Sequence, residues 1–298
     1  MKKMLYLKIA LFLLLCIVLF IGWMYVTNHR FRVEYYTVAS KRIPKNFDES
    51  KMILITDLHN HSFGRKNSRL LKAIENENPD YVMVAGDLLI KKKPFATEAA
   101  LNLLEKLALK YPVYYVPGNH EKRLGEMKET KNDFWNGYIA KIKKMGVTYL
   151  LNETITLKKG NQKIYLSGAD IDRIYYKKGF YRPKLKKEEL DKILPIDESE
   201  QGYRVLLAHN PEYFETYAAW GADLVLSGHF HGGIMILPLI GGVIAPSYRL
   251  FPKYDCGKFQ NGESTMILSR GLAVHSIKIR IFNIPELSLI TLKKDNNS

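Results

Sequence analysis

From Met52 onward, short apolar runs alternate with amphipathic stretches. "KMILIT" is followed by "SRLLKAIENENPD", in which Leu70, Leu71 and Ile74 recur at helical spacing. "YVMVAGD" precedes "ATEAALNLLEKLALKY", and "PVYYVPGNHE" precedes "FWNGYIAKIKKMG". Runs this short, almost free of polar positions and bounded by turn residues, predict buried strands, with the periodic segments as helices between them. From Val147 the pattern changes. "VTYLLNETITLKKGNQKIYLSGAD" predicts strands joined at a Lys-Gly-Asn turn, and a mostly helical basic segment follows. Then come "YRVLLAHNP", "ADLVLSGHFHGG" and three strand-like runs after Glu263. No internal repeat or low-complexity linker interrupts the series. It predicts one α/β domain over 46–293, with two sheets and helices outside them.

The N-terminus follows another rule. "MLYLKIALFLLLCIVLFIGWMYV", Met4 to Val26, is broken only by Lys8, and about 20 apolar residues suffice to span the hydrocarbon core. A cleavable signal would have a shorter apolar stretch ending in small residues, and no such site follows. Trp23 and Tyr25 suit the interfacial end of a membrane helix. Residues 1–30 are therefore read as an uncleaved single-pass anchor and 31–45 as a linker. Arg30, Arg32, Lys41, Arg42 and Lys45 follow the helix, which by the positive-inside rule favours a cytoplasmic domain. Large domains translocate regardless of such charges, and an anchor at the extreme N-terminus has the form of a signal-anchor. The catalytic domain is expected outside the cytoplasm.

Composition removes some alternatives. The chain carries 45 Lys and Arg against 30 Asp and Glu, a formal net charge of +15. That balance suits anionic lipid, cell-wall polymer or nucleic acid, but no aromatic-basic interleaving marks a nucleic-acid module. Nucleic acid is accordingly not an expected partner. The two cysteines, Cys16 and Cys256, supply neither a disulfide framework nor a thiolate zinc site.

The strand ends carry the chemistry. "ILITD" delivers Asp57 and then His59, and "YVMVAGD" delivers Asp87. "VYYVPGNHE" delivers Asn119 and His120, "YRVLLAH" delivers His209, and "ADLVLSGHFH" delivers His229 and His231. Taken singly, each is compatible with a turn, a cap or an exposed loop. As an ordered set they converge, because ligands in open α/β sheets gather at the carboxyl ends of strands. Carboxylate, amide oxygen and imidazole donors without thiolate suit a pair of Mn, Fe or Zn ions.

Asp57-x-His59, Gly86-Asp87, Gly118-Asn119-His120-Glu121, His209 and Gly228-His229-x-His231 together resemble the signature of the calcineurin-like metallophosphoesterases. The resemblance runs from about Met52 to the C-terminus. It is nearest to membrane-anchored bacterial members, which share a Gly-His-x-His-Gly-Gly segment and a C-terminal "SRGL" like Ser269 to Leu272. It implies an αββα two-sheet sandwich preceded by one transmembrane helix, with two divalent metal ions at the sheet ends. By motif position, Asp57, His59 and His231 would bind one metal and Asn119, His209 and His229 the other, with Asp87 bridging. His120 would be the acid or electrostatic group near the leaving oxygen, and Glu121 would either orient it or point elsewhere. The implied reaction is attack of a metal-bridging hydroxide on a phosphodiester, phosphomonoester or pyrophosphate, since bound metals lower the pKa of water towards about 7. Phe230 and Ile234 depart from the threonine and glutamine common at those places.

The expected substrate is a membrane or cell-envelope phosphoester, with a lipid-linked one suiting the anchor. The competing functions are a nucleotide or nucleic-acid phosphodiesterase and a catalytically silent metal-binding membrane protein; the intact ligand set with His120 argues against silence. His61 and Arg65 could meet substrate at the mouth of the site or stand in exposed loops. His29 lies at the membrane boundary, and His275 has no evident partner. The apolar segment 234–251 could wall an acyl or prenyl chain, or pack beneath the site.

Overall fold

The computed structural model describes residues 2–128, 130–177, 183–197, 199, 201–233, 235–237, 241–244, 250–274 and 279–296. Its strands are β1 (Arg32–Ser40), β2 (Lys51–Ile55), β3 (Tyr81–Ala85), β4 (Val113–Val116), β5 (Thr148–Tyr149), β6 (Glu153–Lys159) and β7 (Gln162–Ala169). They continue with β8 (Arg204–Ala208), β9 (Leu224–Ser227), the short β10 (Ile236–Leu237) and β11 (Gly241–Gly242), β12 (Gly257–Asn261), β13 (Ser264–Leu268) and β14 (Glu286–Lys294). The helices are α1 (Lys2–Asn28), α2 (Ser68–Glu77), α3 (Glu98–Ala108), α4 (Asn119–Glu126), α5 (Asn136–Lys144), α6 (Lys187–Ile193) and α7 (Phe214–Trp220).

Two six-stranded sheets form, in the orders β1-β14-β2-β3-β4-β5 and β12-β13-β9-β8-β7-β6. Period-two alternation explains the layering. In β2, Met52 and Leu54 enter the core between the sheets, where they share a cluster with Leu166, Val205, Leu207 and Ile267. Ile53 and Ile55 point the other way, against Leu70, Ile74, Leu103 and Leu107 of α2 and α3. On the far side, Leu206 and Val225 meet Leu190, Phe214, Tyr217 and Trp220 of α6 and α7. Both faces of each sheet are thus covered, which is why its strands read as continuous apolar runs. The result is an αββα sandwich.

Strands β2, β3, β4 and β5 run parallel, as do β7, β8, β9 and β13. Parallel neighbours need crossover connections, so the chain returns to the same edge each time and leaves its strand ends together there.

The stretch 31–45, expected to be a linker, instead carries β1, which pairs in parallel with β14 from Arg32↔Glu286 to Ser40↔Lys294. Only Val38 of β1 is buried, so the strand lacks the apolar pattern that marks the others, and its partner lies at the other end of the chain. The turn expected at Lys-Gly-Asn joins β6 to β7, with Lys159 opposite Gln162. Of the three runs expected after Glu263, two are β13 and β14; between them the described residues contribute a single bridge, Met235↔Ile281.

α1 is long and apolar enough to cross a membrane. Its side chains are exposed until the last turns, where Met24 and Thr27 are buried against the domain.

Candidate metal centre

Each expected ligand stands just beyond a strand. Asp57 and His59 follow β2, Asp87 follows β3, Asn119 and His120 open α4 after β4, His209 follows β8, and His229 and His231 follow β9. All are buried except His229, which is partly exposed. Donor atoms of Asp57, His59 and His231 lie within 4.8 Å of one another, and so do those of Asp87, His209 and His229. A third such group joins His59, Asp87 and His120. Asp87 is thus grouped with His59 and His120 on one side and with His209 and His229 on the other, and His59 also belongs to the Asp57 group.

The backbone is bent to achieve this. Asp57, His59, Asp87, His229 and His231 all have positive φ, between 48° and 73°. The left-handed region costs a non-glycine residue on the order of 1 kcal/mol, and such strain concentrates where function demands a geometry. Close approach also demands glycine. A Cβ at Gly228 would overlap the Thr56 hydroxyl, and one at Gly118 would overlap the Asp87 carboxylate.

Hydrogen bonds lock the two sheets' contributions together. Asp57 Oδ2 accepts from the Thr56 hydroxyl at 2.7 Å and from the His229 amide at 3.0 Å. Asp87 Oδ1 accepts from the His120 amide at 2.9 Å. His209 Nδ1 lies 2.7 Å from the Ala85 carbonyl, so Nδ1 carries a proton and Nε2 is left facing the Asp87 carboxylate, the nitrogen a metal would take. Asn283 Nδ2 donates to the carbonyls of His231 and Gly233, each at 2.6 Å.

Glu121 does not need the orienting role considered for it. Its carboxylate accepts from the amides of Asp87 and Leu89 at 2.8 Å, Gly118 at 3.1 Å, and the Tyr115 hydroxyl at 2.9 Å. Four donors on two oxygens are what an ionised carboxylate takes, although burial and the nearby Asp87 push its pKa up. Glu121 thus shapes the Asp87 loop and the Gly118 turn. His120 is fixed from another side, where its Nδ1 accepts from the Lys91 amide at 3.0 Å.

The electrostatics suit a cation. Burial alone would push the Asp87 carboxyl up, but His209 and His120 beside it hold it well below the usual carboxylate range. Burial would lower the His209 pKa, yet Asp87 and Asp57 raise it to about 9, so without a cation Nε2 would hold a proton against Asp87 Oδ2, 3.2 Å away, which a metal at that position would displace.

Two buried oxygens test whether metal fits. Asp57 Oδ1 and Asn119 Oδ1 have no hydrogen-bond partner. The nearest ring nitrogens to Asp57 Oδ1 are Nε2 of His231 at 3.6 Å and Nε2 of His59 at 3.7 Å. An unpaired buried carboxylate oxygen is costly, and a divalent cation among these donors removes the cost. The residues fit.

A family model, calcineurin-like phosphoesterase, matches residues 50–233. The chain belongs to that family. It is a metal-dependent phosphoesterase with a dinuclear centre. It is 25% identical over 282 residues to the uncharacterized metallophosphoesterase YkuE of Bacillus subtilis, covering 91% of this chain and 89% of that protein. Identity to the phosphodiesterase YaeI of Escherichia coli is also 25%, over 276 residues, covering 91% of this chain and 89% of that protein. A transmembrane protein with metallophosphoesterase domain from Danio rerio is 25% identical over 263 residues, covering 86% of this chain and 56% of its own.

The remaining sequence candidates fall differently. His61 lies beside the centre's mouth, its ring 5.2 Å from that of His29. Arg65 is exposed on a short 3-10 turn. Phe230 is buried with Phe214 and Tyr254 in the outer core, so its side chain serves packing. Ile234 and His275 lie outside the described residues, as do 238–240 and 245–249 of the apolar segment. Asn283 escaped the sequence reading because an asparagine far from every motif carries no periodic or spacing signal. Tyr176, whose ring lies 5.3 Å from His229, escaped it for the same reason.

Proposed function

We propose a membrane-anchored phosphodiesterase whose domain stands outside the cytoplasm and cleaves a phosphoester presented at the membrane or cell envelope. The observation that carries the catalytic part is Asp87, whose carboxylate is grouped with His59 and His120 on one side and with His209 and His229 on the other. In this reading Asp57, His59 and His231 hold one ion and Asn119, His209 and His229 the other. The donor set favours Mn, Fe or Zn over Mg alone. When bound, such a pair activates water and stabilises charge on the phosphoryl oxygens.

His120 then acts through its own proton. With Nδ1 accepting from Lys91, the neutral ring carries its proton on Nε2 and has only that one. Such a ring donates a hydrogen bond to a phosphoryl or leaving oxygen and is ill-suited to surrender the proton entirely. Of the acid and electrostatic roles implied by the motif, the structure supports the electrostatic one. The similarity to a named phosphodiesterase supports a diester over a monoester, and the exposed apolar surface of α1 supports the anchor.

The membrane part is tested by extraction. The full-length chain should remain in the membrane fraction through carbonate washing, and protease added to intact cells should remove the domain. Release by carbonate would contradict a spanning helix, and protection of the domain would reverse the orientation.

A further inference from the structure

The last turns of α1 do not project away from the domain. Trp23 meets Phe282 edge-on at 6.0 Å, and Met24 and Thr27 are buried. His29 stacks on Tyr25 at 4.2 Å and meets His61 at 5.2 Å; His61 meets Phe63 at 4.7 Å, and Phe63 meets Phe31 at 5.0 Å. The Arg69 guanidinium donates to the His29 carbonyl at 3.2 Å. Between this turn and the metal centre lies a cleft of about 270 Å³, bordered by Asn28, His29, His61, Lys92 and the ligand His59. One wall of the cleft beside the candidate metal centre is therefore the end of α1 itself.

Depth follows from helix geometry. At a rise of about 1.5 Å per residue, Asn28 stands only about 7.5 Å beyond Trp23. Trp and Tyr mark the membrane interface, and the headgroup layers add about 5–8 Å to each side of the hydrocarbon core. The cleft therefore opens at headgroup depth. Phe282, 65% exposed against Trp23, gives the domain a second apolar contact with the same surface. The cleft's volume falls just below the range of about 300–1,000 Å³ that encloses whole small ligands. It suits a phosphorylated headgroup whose remainder stays outside.

Resting on the anchored-phosphoesterase reading, we infer that the cleft between α1 and the metal centre is the headgroup site for an amphiphilic phosphoester drawn from the leaflet α1 spans, with Asn28 and His29 of the anchor forming its wall. Lys92 supplies a cation beside the anionic head, and the apolar part of the substrate stays in lipid. The anchor is then part of the substrate site as well as a tether.

Two diesters with the same leaving group separate the possibilities: hexadecyl and methyl p-nitrophenyl phosphate, assayed with Mn and full-length protein in phosphatidylcholine vesicles. The hexadecyl ester should be preferred in kcat/KM by about tenfold or more, the scale of effect that positioning gives. A flexible Gly-Ser insert of about six residues between Arg30 and Phe31 keeps the chain in the membrane but frees the turn from the domain. It should abolish the preference while leaving the methyl ester rate within about threefold. Asn28→Trp, which fills the cleft without changing the chain's length, should slow hexadecyl cleavage by about tenfold with metal content unchanged. No preference in the unmodified protein, or a preference that survives both changes, would overturn the inference while leaving the phosphoesterase reading intact. Failure to cleave either ester would overturn both.

Discussion

The floor of the cleft and its mouth are held by different forces. At the floor, charged and polar groups are buried, hydrogen-bonded to backbone across both sheets, and forced into left-handed conformations at Asp57, His59, Asp87, His229 and His231. At the mouth, ring contacts among Tyr25, His29, His61, Phe63 and Phe31 join α1 to the loop that follows β2. A buried polar network is costly to disturb because each orphaned group loses water without replacement. Ring contacts contribute only about 0.5–1.5 kcal/mol each beyond their area. The floor can therefore fix the reaction while the mouth adapts to what is cleaved.

Two histidines of similar chemistry sharpen the contrast. His120→Ala, at the floor, should lower kcat by about 10²–10³-fold, the scale of losing a preorganised donor. The loss should be similar on alkyl and aryl diesters, with metal content retained. A loss confined to alkyl esters would restore proton donation as its role, and loss of metal would make it a ligand. His61→Ala, at the mouth, should leave metal content unchanged and lower kcat by no more than about tenfold. Comparable losses at the two positions would erase the distinction between floor and mouth.

Glu121→Ala touches no substrate and should act on stability instead of rate. It strips the acceptor from three amides and the Tyr115 hydroxyl, and should cost about 3–5 kcal/mol of stability, as breaking a buried charged network does. Thermal unfolding with and without Mn measures it. An unchanged midpoint would mean that water replaces the carboxylate and that the Asp87 loop holds itself.

The difference between floor and mouth is also a difference in what the sequence can reveal. Asp57, Asp87, His209 and His229 were legible because strands buried on both faces read as unbroken apolar runs, and a polar group just after such a run marks the sheet's edge. The same logic gave the sandwich. It could not give the left-handed backbone at those positions, since Asp and His carry no glycine-like signal for positive φ. Nor could it show Asn283 bracing His231 from 52 residues away. β1 was missed because an edge strand with one buried residue looks like a polar tether. The contact of α1 with the mouth was invisible for a related reason: Trp23 and Phe282 meet through folding alone, and membrane helices carry interfacial aromatics whether or not a domain packs on them.

The central claim is that both sheets hold one dinuclear centre through Asp87. Metal content and diester cleavage, measured together on the full-length protein after chelation and during Mn return, test it most directly. Chelation should abolish cleavage, and activity should return as a second equivalent of Mn binds. Asp87→Asn should bind less Mn and lose about 10³-fold in rate or more. Full activity in the chelated protein, or an Asp87→Asn variant with native metal content and rate, would contradict the account.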